Sequence, residues 1–311
     1  MLYSRTPQKP KKSAGGWFGI GCLGCIGIVV FLILLARGSL YTMTRISPGL
    51  EPQSEDYRTA RSHFRTHLVR HTGSPQQGEP LQPLPGVELV EYSPGLHLQA
   101  WVSPDAEGLG GKRPAVLFLH GGFALGADDW EMTQPYRDAG YVVMTPALRG
   151  ENGQQGDISL FYDEVTDVLA AADYLVQLPY VDARHLYVAG HSVGGTMTLL
   201  TALTSPRFQA ATSFSGAPDV RSWSKSWTGY VTFDMSRIQE YQMRSAVAYA
   251  GSFQCPTRIY CGSSEIFFLN SSQETSRRAK LKGLDVEAIT VPGDHFTAVP
   301  EEIRKSIAFF Q

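Results

Sequence analysis

An excess of one charge sign is the first thing the sequence lacks: 27 basic residues against 29 acidic ones leave a formal net charge of −2. That balance gives no electrostatic footprint for nucleic acid, so no nucleic-acid partner is expected. Cysteine is scarce, four in 311 residues, and its placement excludes a disulfide framework. Cys22 and Cys25 lie within an apolar segment. Cys255 and Cys261 flank the strand-like run PTRIY, which holds them roughly 20 Å apart, far beyond a disulfide reach of about 7 Å. Reduced, buried thiols are expected. There is no internal repeat. The glycines form neither G-x-G-x-x-G nor a Walker loop, because the glycine-rich stretch Arg149 to Asp157 lacks the lysine and serine of a phosphate site. No cofactor and no metal is therefore expected.

Long apolar runs are also missing, with one exception. Trp17 to Ala36, WFGIGCLGCIGIVVFLILLA, carries no charge, and about 20 such residues span a bilayer as a helix. A cleaved signal peptide has a shorter core, about 7 to 15 residues, and a small-residue cleavage site. LLARGS offers none, so an uncleaved transmembrane helix over 17–36 is expected. Arg5, Lys9, Lys11 and Lys12 precede it, whereas only Arg37 and Arg45 follow closely. This bias predicts a cytoplasmic tail over 1–16 and the large domain on the outer side, periplasmic or extracellular.

Residues 37–85 read as a stalk, polar and rich in proline, glycine and glutamine from Ser47 to Pro85, with one helix in EDYRTARSHFRTHLVRH. His63, His67 and His71 recur there every four residues and would share a helical face. The only acidic residue near that face is Asp56. A solvated stripe is the reading, with a metal site as its alternative.

From residue 86 onward, strand-length apolar runs alternate with amphipathic helical patterns. VELVEYS and HLQAWVS are joined by the turn SPG and should pair antiparallel. PAVLFLH, GYVVMTP, HLYVAG, QAATSFS, TRIYCG and VEAITV alternate with helices. This implies an α/β fold, a mostly parallel eight-stranded sheet covered on both faces. Sites in such sheets form at the carboxyl ends of strands. Four loops at that edge carry polar chemistry: HGGF, GHSVGG, GSSE and PGDHF.

GHSVGG has the form of a nucleophile elbow, strand, sharp turn, helix, with glycine two before and two after Ser192. A serine hydroxyl needs a base to take its proton. His295 follows the last strand and precedes the last helix, the expected place for that base. His185 would lie at the opposite edge, His191 should point away from Ser192, and His97 belongs to the early hairpin. Glu265, three residues after TRIYCG, is the expected acid, with Asp294 and Asp219 as alternatives. Gly122 or Phe123 should supply one oxyanion donor and the N–H of Val193 the other. His120 reads as structural, bonding the loop.

GYVVMTPALRGENG, YVDARHLYVAGHSVGG, RSAVAYAGSFQCPTRIYCGSSE and VPGDHF together resemble the catalytic domain of the prolyl oligopeptidase-like (S9-type) serine hydrolases. The dienelactone hydrolases, whose nucleophile is cysteine, share the layout. The resemblance runs from about residue 85 to 311 and implies an α/β-hydrolase fold with Ser192, Glu265 and His295 as triad. The peptidases of this family carry a β-propeller, where this chain has about 85 residues of anchor and stalk. The family acid is commonly aspartate. Glutamate serves in other branches of the fold.

Residues 217–254 form an insertion containing Trp223, Trp227, Tyr230 and Phe233. It is read as a cap with an apolar acyl pocket or as ordinary helical packing. The first expectation is an anchored serine hydrolase acting on esters or small amides. A peptidase releasing short peptides is the alternative within enzymes, and a non-catalytic binding protein the alternative outside them.

Overall fold

The computed structural model describes residues 45–93, 95–105 and 111–311. The expected transmembrane segment 17–36 lies outside the described residues. Among those residues no helix is long and apolar enough to cross a membrane. A compact unit runs from Ile46 to Gln311, and it is an α/β-hydrolase fold.

Its sheet is built from β1 (Glu88–Ser93), β2 (Leu98–Val102), β3 (Arg113–Leu119), β4 (Val142–Pro146), β5 (Val181–His191), β6 (Ala210–Phe214), β7 (Thr257–Gly262) and β8 (Val286–Val291). The spatial order is β1-β2-β4-β3-β5-β6-β7-β8. β2 runs antiparallel to both neighbours, and β3 to β8 are parallel. Every sequence-predicted strand is present.

The two-residue period of the strands divides the core between the sheet's faces. Leu117 and Leu119 of β3 and Val188 of β5 join one apolar cluster, with residues from α4 (Glu164–Leu175) and α5 (Val193–Thr204). Val116, Phe118 and Ala189 point the other way. They meet residues from α2 (Ala127–Met132), α3 (Gln134–Asp138) and α9 (Val299–Phe310). Burial on both faces explains why these strands read as continuous apolar runs. Cys255 and Cys261 are free and buried, as expected for small apolar side chains.

The part of the chain read as a stalk departs from expectation. From Ile46 it belongs to the compact unit, and Leu50, Tyr57 and Ala60 are buried in the first cluster. The helix there, α1, covers only Tyr57–His63. Beyond Phe64 the chain is extended: Leu68 bridges Phe233, and the N–H of Val69 bonds the carbonyl of Thr232. Tertiary pairing overrides the helical period. His63, His67 and His71 consequently share no face and go to separate carboxylates, Glu55, Asp234 and Asp157.

The insertion folds onto the same segment through α6 (Val220–Trp223), α7 (Ile238–Gln242) and short 3₁₀ turns. Arg244 is fully buried. Its guanidinium donates to Glu240 Oε2 at 2.7 Å, Leu160 O at 2.7 Å, Ser159 O at 2.8 Å and Thr66 Oγ1 at 2.7 Å. It also lies 4.1 Å from the ring centre of Phe233. A buried cation of this kind stands only where hydrogen bonds and a counter-charge replace its water. Much of the insertion is thus core, with Phe233, Tyr241 and Met243 buried.

Candidate active site

Ser192 stands between β5 and α5 at φ 57°, ψ −113°. A non-glycine residue in that region costs about 1–3 kcal/mol, so the surroundings must hold it there. The Ser192 N–H donates to Phe214 O at 2.8 Å, and the Gly194 N–H to His120 O at 3.0 Å. The flanking glycines are required by close approach. A Cβ on Gly190 would lie 2.5 Å from Gly194 O, and one on Gly194 only 2.0 Å from Leu119 O. The turn therefore tucks α5 under the sheet edge and leaves the serine at its tip.

The loop after β8 brings His295 to that tip. Its Nε2 is 2.9 Å from Ser192 Oγ, and its Nδ1 is 2.6 Å from Glu265 Oε1. Donors balance when Nδ1–H donates to the carboxylate and the serine hydroxyl donates to Nε2, a neutral imidazole poised as a base. Glu265 follows β7 and begins α8 (Ile266–Lys280). Its other oxygen accepts from the Gly262 N–H at 2.8 Å and from the Ser215 hydroxyl. Burial raises the Glu265 pKa, but the bonds from His295, Ser215 and Gly262 outweigh it and hold the carboxyl below its usual value. Glu265 thus remains an anion facing the imidazole.

The alternative acids are engaged elsewhere. Asp294 Oδ1 caps its own turn, accepting from the N–H groups of Phe296 and Thr297. Asp219 accepts from the N–H groups of Ser47 and Ser222. His185 pairs with Asp182 at the start of β5, and His97 with Glu91 in the β1–β2 hairpin.

Sequence reasoning set His191 aside, yet its Nε2 lies 2.8 Å from His295 O. Burial depresses its pKa to about 4, so the ring is neutral and Nε2–H is the donor. Ser215 was also missed. It stands at φ 51°, a left-handed backbone like that of Ser192, and its signal is the SFSG turn at the end of β6.

The HGGF loop follows β3. His120 is buried, with Nε2 2.9 Å from Glu151 Oε2 and Nδ1 3.0 Å from Gly121 O. Burial alone would lower its pKa, but the Glu151 carboxylate reverses this and raises it to about 9. The loop is pinned by an ion pair, the structural part assigned to His120 from sequence. Gly122 has φ +68°. The Phe123 N–H does not face Ser192 unengaged: it donates to Gln76 Oε1 at 3.1 Å. The neighbouring Ser74 hydroxyl donates to Phe123 O. Nothing in the polar, glutamine-rich run around residue 76 signals this role.

A cavity of about 430 Å³ opens over Ser192 and His295, lined by Trp223 and Trp227 from the insertion and by Phe267 and Phe268 of α8. The Phe268 ring stacks against His295 at 5.7 Å. The insertion thus contributes Trp223 and Trp227 to this cavity and buries Phe233, Tyr241 and Met243 in the core. Among the described residues no group of His, Cys, Asp and Glu could hold a metal ion.

Comparison with known proteins agrees with this fold. The prolyl oligopeptidase family model matches residues 128–310. The 2,6-dihydropseudooxynicotine hydrolase of Paenarthrobacter nicotinovorans is 25% identical over 206 residues, covering 62% of this chain and 52% of that protein. A puromycin-hydrolyzing peptidase of Mycobacterium tuberculosis superimposes with a TM-score of 0.62 at 22% identity, over 72% of this chain and 38% of that one. A putative dienelactone hydrolase of Klebsiella pneumoniae gives 0.53 at 16% identity, over 72% of this chain and 97% of that one. These structural likenesses show the shared fold. The chain spans about half the length of the curated relative and less of the peptidase.

Proposed function

The chain belongs to the prolyl oligopeptidase family and is a serine hydrolase, and from that premise we propose that Ser192, His295 and Glu265 are its catalytic triad. The substrates are esters or small amides, cleaved through an acyl-enzyme. Ser192 Oγ attacks the carbonyl carbon while His295 Nε2 takes the hydroxyl proton. The leaving group departs with that proton, and water, deprotonated in turn by His295, releases the acid. Glu265 holds the imidazole tautomer and stabilises the imidazolium. The Val193 N–H, in the first turn of α5, and the Gly122 N–H receive the oxyanion. Phe123, the other donor expected from sequence, is engaged by Gln76.

The observation that carries this reading is the pair of hydrogen bonds through one imidazole, 2.9 Å to Ser192 and 2.6 Å to Glu265. A non-catalytic binding protein would have no need to hold a serine in a strained backbone against a base. The peptidase alternative draws on the family, and the choice between ester and peptide bonds falls to comparing acyl nitrophenyl esters with aminoacyl nitroanilides. Labelling by a fluorophosphonate, abolished in Ser192→Ala, is the result expected. An unlabelled wild-type protein would remove the triad assignment. Glu265→Gln should lower turnover by orders of magnitude, since the wrong tautomer is then favoured.

The anchored topology is proposed on the uncharged run Trp17 to Ala36 and the basic residues before it. Resistance of the full chain to alkaline extraction from membranes, with Lys9 shielded from an outside reagent, supports it. Release of the chain into the supernatant would overturn it.

A further inference from the structure

Among the described residues seven large hydrophobic side chains are exposed; Trp227 at 45% and Phe267 at 37% line this cavity, and Ile266 at 51% and Phe296 at 72% are chain neighbours of its lining residues. Scattered exposed hydrophobics are ordinary on a protein surface, whereas a contiguous group around a cavity marks a binding surface. The rings fall into two groups: Trp223 stacks on Trp227 at 6.1 Å, and Phe267, Phe268, His295 and Phe296 form a chain with ring centres 5.1, 5.7 and 5.1 Å apart.

The charges available inside point the same way. Among the described residues Glu265 and His295 are the only ionisable groups lining the cavity. Glu265 is committed to His295, Ser215 and Gly262. Nothing in the lining can pair a peptide's terminal ammonium or carboxylate, and a charge leaving water without a partner is strongly disfavoured. Phe267 and Ile266 occupy the first turn of α8, where a reader of anionic groups would show polar or basic side chains.

Resting on the triad assignment above, we propose that the substrate is a carboxylic ester bearing an extended, uncharged apolar chain, which lies along Trp223, Trp227, Phe267 and Phe268 while its carbonyl sits at Ser192. Hydrolysis yields the free carboxylic acid and the alcohol, with water as the only co-reactant. The acid product, newly charged in an apolar mouth, is expelled by the same physics that admits the neutral ester. Wall and chemistry thus act in sequence.

The test is a series of p-nitrophenyl esters from acetate to decanoate, each below its micelle concentration, with the full chain. The kcat/KM should rise by at least about tenfold from acetate to octanoate, as methylenes leave water against the rings. Trp227→Ala combined with Phe267→Ala should lower the octanoate-to-acetate ratio, and Trp227→Phe should restore much of it. N-acetylated aminoacyl esters should be preferred over their free-amine counterparts. A flat or falling series in a protein that fluorophosphonate labels, or a preference for the free amine, overturns the substrate class and leaves the triad standing. Failure to label at all removes the triad assignment, and this proposal with it.

Discussion

The ring of His191 donates a hydrogen bond to the backbone carbonyl of His295 across 2.8 Å. The residue beside the serine therefore fixes the loop that carries the proposed base. The two imidazoles lie 4.8 Å apart between centres, one neutral and structural, the other facing Ser192 and Glu265. His191→Ala removes the donor to a part-buried carbonyl, a loss of about 1 kcal/mol. The expected outcome is a several-fold fall in kcat, with a smaller change in KM, measured on a short nitrophenyl ester. His191→Gln, which can reach the same carbonyl, should recover part of the rate. A purely structural role would instead lower melting temperature without separating kcat from KM.

Gln76 sits against the HGGF loop, its Oε1 accepting from the Phe123 N–H and lying 2.9 Å from where a Gly122 Cβ would be. Gln76→Ala should lower kcat several-fold by loosening the loop. Gln76→Glu keeps an acceptor oxygen but brings a negative charge toward the site where the oxyanion develops, so its kcat should fall below that of the alanine variant. The order glutamine, alanine, glutamate in single-turnover acylation rates is the readout. Equal rates for all three would detach Gln76 from the oxyanion site.

Glu302, on the sheet-facing side of α9, is fully buried, and neither carboxyl oxygen has a hydrogen-bond partner. Burial, with a smaller contribution from the Glu265 charge, raises its pKa to about 8. Between its ordinary value of 4.5 and about 8 the native state holds a proton that the unfolded chain has released, so stability declines as pH rises through that window. Glu302→Gln should flatten this decline, seen as a higher melting temperature at pH 8 with little change near pH 5. His191 acts in the opposite sense. Its depressed pKa makes its contribution complete above about 6.5 and lost as pH falls toward 4.

The parallel sheet was legible because strands buried on both faces leave uninterrupted apolar runs, and TRIYCG and VEAITV matched their observed bounds. The elbow was legible for a related reason: Gly190 and Gly194 are dictated by steric approach within a few residues. The meeting of His295 and Glu265 with Ser192 followed from chain order and strand ends. What was not legible depends on contacts far along the chain. The helix read over 55–71 stops at His63, because pairing with residues 231–234 outweighs local periodicity. Gln76, Ser215 and the part played by His191 each act through one hydrogen bond to a residue distant in sequence, and a single hydrogen bond leaves no periodic trace.

The network at Arg244 sets a practical limit on trimming the protein. Thr66 supplies one of its acceptors and Gln76 supplies the acceptor for Phe123. A fragment excised at residue 86, where the strand pattern begins, would leave a guanidinium short of an acceptor in the interior and free the HGGF loop from its clasp. Any shortened version meant to fold and turn over substrate must retain the chain from Ile46 onward.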